Sequence, residues 1–241
     1  MDSVAFLWVY LRTSPLLWLT ATLAAYVVAN RIQLACGGHP LVNPVLIAVA
    51  ILVTMLRLSG TPYRTYFDGA QFVHFMLGPA TVALAVPLAA KAREVGRNLP
   101  AMIAAVVAGS VTAIVTATGT GWLLGAGPVT LRSLVPKSVT TPIAMAVSEQ
   151  IGGAPGLTAV LVILTGITGA ILVTPLMNAL GLRDYAARGY AAGVASHGIG
   201  TARAFQVSEL AGTFAGLGLA LNGLVTSLLA PALVHLWGRL G

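Results

Sequence analysis

The sequence is poor in charge and has a single cysteine. Only 8% of its residues are charged, whereas ordinary soluble domains are about 25% charged, so the chain has too few charges to cover a water-facing surface. The lone Cys36 excludes an intrachain disulfide and a cysteine metal cluster. A signal-peptide pattern with a small-residue cleavage site is also lacking near the N-terminus, so we expect the first apolar stretch to be retained.

What the chain has instead is apolar residues, which make up 57% of the total. We therefore predict an all-α polytopic membrane protein, a bundle of about six to eight transmembrane elements at roughly 20 apolar residues per crossing. The whole chain, 1–241, is predicted to be one integral membrane domain. The net charge of +7 does not indicate a nucleic-acid surface, because the 13 Lys and Arg residues fall mostly between apolar spans, as topogenic charges do.

Uncharged intervals divide the chain into candidate crossings. Six of them are long enough to span a bilayer: 13–30, 32–56, 69–90, 98–131, 150–182 and 210–238. Two others, 138–148 and 189–202, are apolar but short, which is typical of re-entrant segments or of one half of a broken helix. We therefore predict two or more broken or re-entrant helices.

Helix-breaking residues coincide with the two short intervals. In 133-SLVPKSVTTPIAMAVSEQIGG-153, Pro136 and Pro142 each lack a backbone N–H, and in 189-GYAAGVASHGIGTARAF-205 four glycines lower the helix propensity. A break that faced lipid would leave backbone groups unpaired, so such breaks are tolerated only inside the protein or along a wet cavity. Both segments are therefore predicted to lie in the interior.

A weaker pattern suggests an internal, inverted repeat with halves 14–124 and 132–238. The span 72-FVHFMLGPATVALAVP-87 carries His74 and a Gly-Pro break, and it occupies roughly the place in the first half that 194-VASHGIGTARAF-205 occupies in the second. Transporters often contain such repeats, with broken helices at corresponding positions around a site at the membrane midplane. The repeat therefore favours a transport function.

Polar side chains in and beside the two short intervals form the candidate site. Charged groups are costly inside a bilayer, and those present usually face a cavity or a partner. Arg203 is predicted to be the main anion partner, because a guanidinium matches a carboxylate through two parallel hydrogen bonds. The predicted substrate-binding residues are Lys137, Ser138, Thr140, Thr141, Glu149, Gln150, Ser196, His197, Gly200, Thr201, Arg203 and Asn222. The residue types predict neither a cofactor nor a metal site.

Each candidate also has a structural interpretation. Arg203 could pair with Glu149 or Glu209, or extend to the membrane interface. His197 could be a packing residue instead of a hydrogen-bond donor or a proton carrier. The remaining alternatives are interface charges for Lys137 and Glu149, hydrogen bonds to helix carbonyls for Thr140 and Thr141, and contact between helices for Asn222.

Several long motifs resemble the LrgB/CidB family. They are 136-PKSVTTPIAMAVSEQIGG-153, 157-LTAVLVILTGITGA-170 and 194-VASHGIGTARAF-205, with 77-LGPATVALAVPL-88 and 221-LNGLVTSLLAP-231 in support. The resemblance covers about residues 40 to 237. It implies a modulator of murein hydrolase activity and lysis, acting beside small holin-like LrgA/CidA partners. It also implies small carboxylates as substrates, because chloroplast relatives exchange glycolate and glycerate and bacterial relatives are linked to pyruvate.

One position departs from the pattern that the resemblance implies. Ala146, in 145-MAVSEQ-150, stands where an acidic residue is expected. The departure removes one carboxylate near the predicted site and weakens the case for proton coupling through it.

Residues and resemblance together predict a secondary transporter of small monocarboxylates that works by alternating access in the bacterial plasma membrane. The alternative is a holin/antiholin-like pore or a regulator of murein hydrolase activity and cell lysis. An enzyme is not expected, because neighbouring residues such as Ser196 and His197 point in different directions on a helix, and HExxH and GxSxG motifs are absent. The expected partners are the carboxylate, the lipid bilayer and a small LrgA/CidA-like protein, with a homodimer as a further hypothesis and no nucleic acid.

Overall fold

The computed structural model describes residues 14–39, 41–76 and 92–238, together with residues 79, 82 and 89. Every regular element among these residues is a helix, as the all-α prediction requires. The predicted first-half break at 77–88 falls largely outside the described residues, as does the His74 side chain. The chain divides into two compact units, Met1–Ala85 and Val86–Gly241. The division does not test the proposed repeat halves, which stay a prediction.

The first unit contains three described helices, α1 (Pro15–Ala35), α2 (Pro44–Ser59) and α3 (Tyr63–Phe75). Both α1 and α2 begin at a proline, where the missing N–H would have no helical partner in any case. Asn43 caps α2, since its Oδ1 accepts hydrogen bonds from two first-turn N–H groups at 2.9 and 3.1 Å. The small side chains of Ala25, Ala29 and Ala48 let α1 and α2 pack closely, and Leu52 belongs to the same buried cluster.

The second unit contains six described helices. They are α4 (Ala92–Leu123), α5 (Pro128–Leu134), α6 (Thr141–Gln150), α7 (Pro155–Ala179), α8 (Tyr185–Val207) and α9 (Glu209–Gly238). The turns Gly125, Gly152 and Gly181 all have positive φ values, a conformation that glycine adopts without steric cost. Glycine placement therefore explains where α4, α6 and α7 end.

Four described helices are long and apolar enough to cross a membrane: α1, α7, the Gly96–Leu123 part of α4 and the Glu209–Leu236 part of α9. Large apolar side chains lie exposed on them, as Trp122 does on α4 and Leu228 on α9. Exposed apolar surface on this scale is expected where lipid covers the protein. The helical membrane class is thereby supported, whereas the number of six to eight crossings stays a prediction.

Candidate functional site

Helix α8 is interrupted in its middle and folds back on itself. Ser196 (φ −134°, ψ 17°) and His197 (φ 42°, ψ −136°) have non-helical backbone angles. Beyond them, a Cβ added to Gly200 would lie 2.7 Å from the carbonyl oxygen of Ala192. Residues eight positions apart in a continuous helix are about 12 Å apart along the axis. Residues 185–207 therefore form two antiparallel arms, called here the 185–207 hairpin.

The tip of this hairpin packs against glycines in the middle of α7. A Cβ added to Gly166 would lie 2.6 Å from His197 Nε2, and one added to Gly169 would overlap Ser196 Oγ. The His197 imidazole donates from Nε2 to the carbonyl oxygen of Val162 at 2.8 Å. Because α7 is one of the helices long enough to cross, the tip lies near the middle of that crossing.

His197 has a strained backbone. It is the one non-glycine residue with positive φ in the described part of the chain. Its angles lie in a region that only glycine populates readily, so they cost on the order of 1–3 kcal/mol that the surrounding contacts must offset. Because such strain is concentrated at functional sites, it supports the choice of His197 as a site residue.

A second folded-back segment, the 132–150 hairpin, runs from the end of α5 through a turn at 135–140 and returns along α6. The two arms of this hairpin meet at Thr158 of α7. The Thr158 hydroxyl lies 3.1 Å from the Ser133 carbonyl oxygen and 2.7 Å from the Ser148 hydroxyl. All three side chains are fully buried. The base of this hairpin is thus fixed by a compact hydroxyl cluster, and its tip lies near Ser138.

Asn222 of α9 joins the two hairpin tips. Its Nδ2 donates to the carbonyl oxygens of Ser138 at 3.1 Å and Val194 at 2.9 Å. Its Oδ1 accepts from the hydroxyls of Ser110 at 2.6 Å and Thr226 at 3.1 Å. The Asn222 side chain is 1% exposed. Its amide nitrogen donates two hydrogen bonds and its amide oxygen accepts two, so the whole amide group is satisfied inside the protein. In an unbroken α8, the Val194 carbonyl would instead bond the N–H four residues later.

The two hairpins approach Asn222 from opposite ends of α9. At the base of the 185–207 hairpin, Gly189 packs against the backbone of Ala211, near the N-terminal end of α9. At the base of the 132–150 hairpin, Arg132 shares a cavity with His235, near the C-terminal end of α9. Asn222 lies about 20 Å along α9 from its first residue. The two breaks therefore converge at one buried point.

Most predicted site residues lie at or beside the joined tips. Ser138, Ser196, His197, Gly200, Thr201 and Asn222 are buried there, whereas Lys137, Thr140 and Thr141 are half-buried. The Lys137 ammonium lies 3.4 Å from Ser138 Oγ, to which it donates a hydrogen bond. Lys137 is thus the cation that the fold positions beside the polar tips.

The other predicted residues lie at the hairpin bases. Glu149 and Gln150 are exposed at the end of α6. Arg203 is half-buried on the returning arm of α8, about 9 Å along the helix from His197, and it donates to Gln206 Oε1 at 3.1 Å. Arg203 also lines a cavity of about 20 Å³ with Arg188. The structure therefore separates the predicted anion partner from the hydrogen-bonding group that it was predicted to join.

Sequence reasoning missed three residues of this arrangement. Ser110 and Thr226 complete the hydrogen bonds of Asn222, and Arg188 shares the cavity of Arg203. Ser110 and Thr226 lie in long apolar intervals, where a buried hydroxyl needs a hydrogen-bond partner, but neighbouring hydroxyl residues such as Thr112 and Ser227 give the same signal. Arg188 gave no such signal, because it lies outside the short interval.

Broken helices that meet at a buried polar centre, beside long apolar helices, define a polytopic helical membrane protein. The chain belongs to the LrgB-like family, whose family model matches residues 22–236. It is similar to the protein YwbG of Bacillus subtilis, with 41% identity over 194 residues, covering 80% of this chain and 85% of the relative. No solved structure matches the chain.

Two further relatives have an informative name. The holin-like protein CidB of Staphylococcus epidermidis is 31% identical over 221 residues, covering 92% of this chain and 96% of the relative. The holin-like protein CidB of Staphylococcus aureus is 29% identical over 222 residues, with the same coverage. Together with the apolar helices, these relatives identify a multi-pass bacterial membrane protein of the holin/antiholin-like class.

Proposed function

We propose that this protein, within its holin-like class, is a carrier for small monocarboxylates that bind between the two hairpin tips. The observation that carries the proposal is the bonding of both tips to Asn222, with one hairpin approaching from each end of α9. Transporters commonly bind their substrate at broken helices near the membrane midplane, so that movement of one segment opens one side at a time.

The tips offer the chemistry that a carboxylate requires. Lys137 supplies a positive charge next to the Ser138 hydroxyl. The first turn of α6 starts at Thr141, and the side chain of its N-cap residue Thr140 does not cap it. Pro142 in this turn has no N–H, but the remaining N–H groups and the dipole at a helix start favour an anion, and here they add to the charge of Lys137. In this proposal Lys137 is the direct anion partner, and the role predicted for Arg203 becomes one of guiding the anion at the hairpin base.

A holin-like pore or a regulator of cell lysis is the second candidate. The holin-like names of the two CidB relatives favour this role more directly than they favour a carrier. The two roles differ in their physics, since a pore passes unrelated solutes of similar size without saturation. A carrier requires a binding site, so its uptake saturates and depends on single residues.

Uptake by proteoliposomes that contain the purified protein tests both candidates. We expect saturable uptake of labelled glycolate and pyruvate while the vesicles exclude glucose. Lys137→Gln should lower the uptake at least tenfold, and Arg203→Gln should lower it less. The matched control is Arg183→Gln, an exposed arginine in the turn before α8, which should leave uptake unchanged.

Two results would contradict the carrier, and a third would contradict its proposed binding site. Leakage of glucose alongside the carboxylates would favour the pore. The absence of any uptake by correctly folded protein would remove the carrier for this chain acting alone. Unchanged uptake in Lys137→Gln would remove the binding site from the hairpin tips.

A further inference from the structure

We propose that the cavity at the base of the 132–150 hairpin is a second anion site, which binds a small free carboxylate at the protein surface before it reaches the tips. The cavity is open to the surface and has a volume of about 560 Å³. Ligand pockets commonly have volumes of about 300–1,000 Å³, so a carboxylate of a few carbon atoms fits with part of its hydration shell.

The polar groups of the cavity suit an anion. Its lining includes the guanidinium of Arg132, the imidazole of His235 and the amide of Gln150. All three groups offer N–H donors, and among the residues that the structure describes the lining contains no carboxylate that would repel an anion. Arg132 can bind a carboxylate or a phosphate oxygen pair through two parallel hydrogen bonds.

The position of Arg132 is defined by a glycine. Gly152 follows the end of α6 with a φ of +75°, and a Cβ added there would lie 3.0 Å from Arg132 Nη1. The guanidinium therefore lies directly over the Gly152 backbone. This position places the charge at the cavity wall.

An apolar layer separates this cavity from the hairpin tips. Ile114, Val135, Val147, Ile151 and Ala230 pack into one buried cluster, and Val234 lies against it. Ile151 and Val234 also line the cavity, so the cluster forms its floor. Asn222 lies about 12 Å from Ala230 along α9, beyond that floor. The cavity is thus a site of its own and not the outer part of the site at the tips.

Two sources could supply an anionic oxygen pair here, namely a free carboxylate and a lipid phosphate. We commit to the free carboxylate, a choice that rests on the proposed transport function. The anion site itself rests only on the geometry of the cavity. The experiment therefore measures the charge preference of the cavity without measuring transport, and it varies the lipid separately.

The single cysteine of the chain makes the test direct. In a Cys36→Ser background, Val234→Cys introduces a thiol into the cavity. Its rate of reaction is compared for two methanethiosulfonate reagents of similar size, one carrying a sulfonate and one a trimethylammonium group. Native Cys36, which is exposed, gives the intrinsic ratio of the two rates in the protein with its natural sequence.

We expect the sulfonate reagent to be favoured in the cavity by about fivefold over the Cys36 reference at low ionic strength, from one positive charge about 8 Å away. Arg132→Gln should remove this preference, whereas Arg183→Gln should leave it unchanged. Glycolate at millimolar concentration should slow the reaction in nanodiscs of neutral phosphatidylcholine, and Arg132→Gln should abolish that protection.

Other outcomes would overturn the proposal. A ratio equal to that of Cys36, or one that Arg132→Gln does not change, would remove the anion site. Protection by added phosphatidylglycerol without protection by glycolate would assign the cavity to a lipid headgroup and overturn the free carboxylate. A failed uptake assay with a normal charge preference would instead refute the carrier and leave the anion site standing.

Discussion

The two hairpins have similar tips and very different bases. The arms of the 185–207 hairpin close on one another and on α9, and the cavity between them holds only about 20 Å³. The base of the 132–150 hairpin borders a cavity of about 560 Å³. Backbone contact through glycines seals the first end, whereas side chains alone form the barrier at the second. The comparison indicates that the two hairpins are packed differently at their bases.

The largest expected effect comes from the glycines that seal the 185–207 hairpin. A Cβ on Gly193 would overlap the backbone carbonyl of Ala215, and neither α8 nor α9 can yield without moving as a whole. We expect Gly193→Ala to destabilise the protein by more than about 3 kcal/mol, above the usual cost of core overpacking, because the added Cβ meets backbone atoms that no side-chain rotation can move. The measurement is the yield of monodisperse protein and its thermal unfolding in detergent.

Gly198→Ala is the matched control for this change. Gly198 lies in the same hairpin just past the tip, and a Cβ there would have no neighbour within 4 Å. It should fold with the stability of the natural protein. Equal stability of the two variants would show that α8 and α9 are not in backbone contact, and the contrast between the two bases would be lost.

The second effect concerns the bond between the tips. Asn222→Ala removes four hydrogen bonds and leaves the carbonyl oxygens of Ser138 and Val194 without their buried donor. We expect a loss of about 3 kcal/mol in unfolding free energy, because an unsatisfied buried polar group costs about 1–3 kcal/mol. Thermal unfolding and carboxylate uptake should both decline.

Two further variants of α9 separate the hydrogen bonds from the packing of the helix. Ser227→Ala removes one local hydrogen bond to Leu224 and should change stability by less than about 0.5 kcal/mol. Asn222→Asp retains an acceptor for Ser110 but loses the donors to both tips. If Asn222→Asp were as stable as the natural protein, the donation from Asn222 to the tips would have no energetic role.

Much of the fold could be predicted from the uncharged intervals, because the length of an apolar run limits the length of a crossing helix. Interval 150–182 contains α7, and interval 210–238 coincides with α9 to within one residue. The short interval 189–202 contains the break at Ser196 and His197, as its glycines suggested. Local composition therefore located the break in α8 as well as the long helices α7 and α9.

The composition of the site was harder to predict, because a folded-back helix separates residues that are close in sequence. Arg203 is only six positions from His197, yet it belongs to the base of the hairpin. Asn222 was predicted as a substrate-binding residue, with contact between helices as the alternative, and the breaks it joins lie 84 and 28 positions away. Contacts over such separations depend on how α8 and α9 pack, which no local pattern encodes.

The third prediction concerns strain at the tip of the 185–207 hairpin. His197→Ala loses the hydrogen bond to Val162, worth about 1 kcal/mol, and keeps the unfavourable backbone angles. His197→Gly loses the same bond but relieves the strain, which is on the order of 1–3 kcal/mol. We therefore expect the glycine variant to be the more stable of the two in thermal unfolding. The reverse order would contradict a strained His197, and normal uptake by both variants would exclude the imidazole from the transport site.

The smallest expected effect tests the open base of the 132–150 hairpin. Gly152→Ala and Gly125→Ala both place a methyl group at a residue with φ near +75°, so each should cost about 1 kcal/mol of stability. Only the Cβ at residue 152 would meet a neighbour, the guanidinium of Arg132, since the position at 125 is open.

The two glycine variants should therefore be equal in thermal unfolding and differ in chemistry. With the thiol at position 234, Gly152→Ala should lower the preference of the cavity for the sulfonate reagent, because the guanidinium has to move away from the wall. Gly125→Ala should leave that preference unchanged. A preference unchanged in both variants would mean that the Gly152 backbone does not position Arg132. The cavity at the base of the 132–150 hairpin would then have the same volume but no positioned Arg132 charge. The two hairpin bases would differ only in how tightly they are packed.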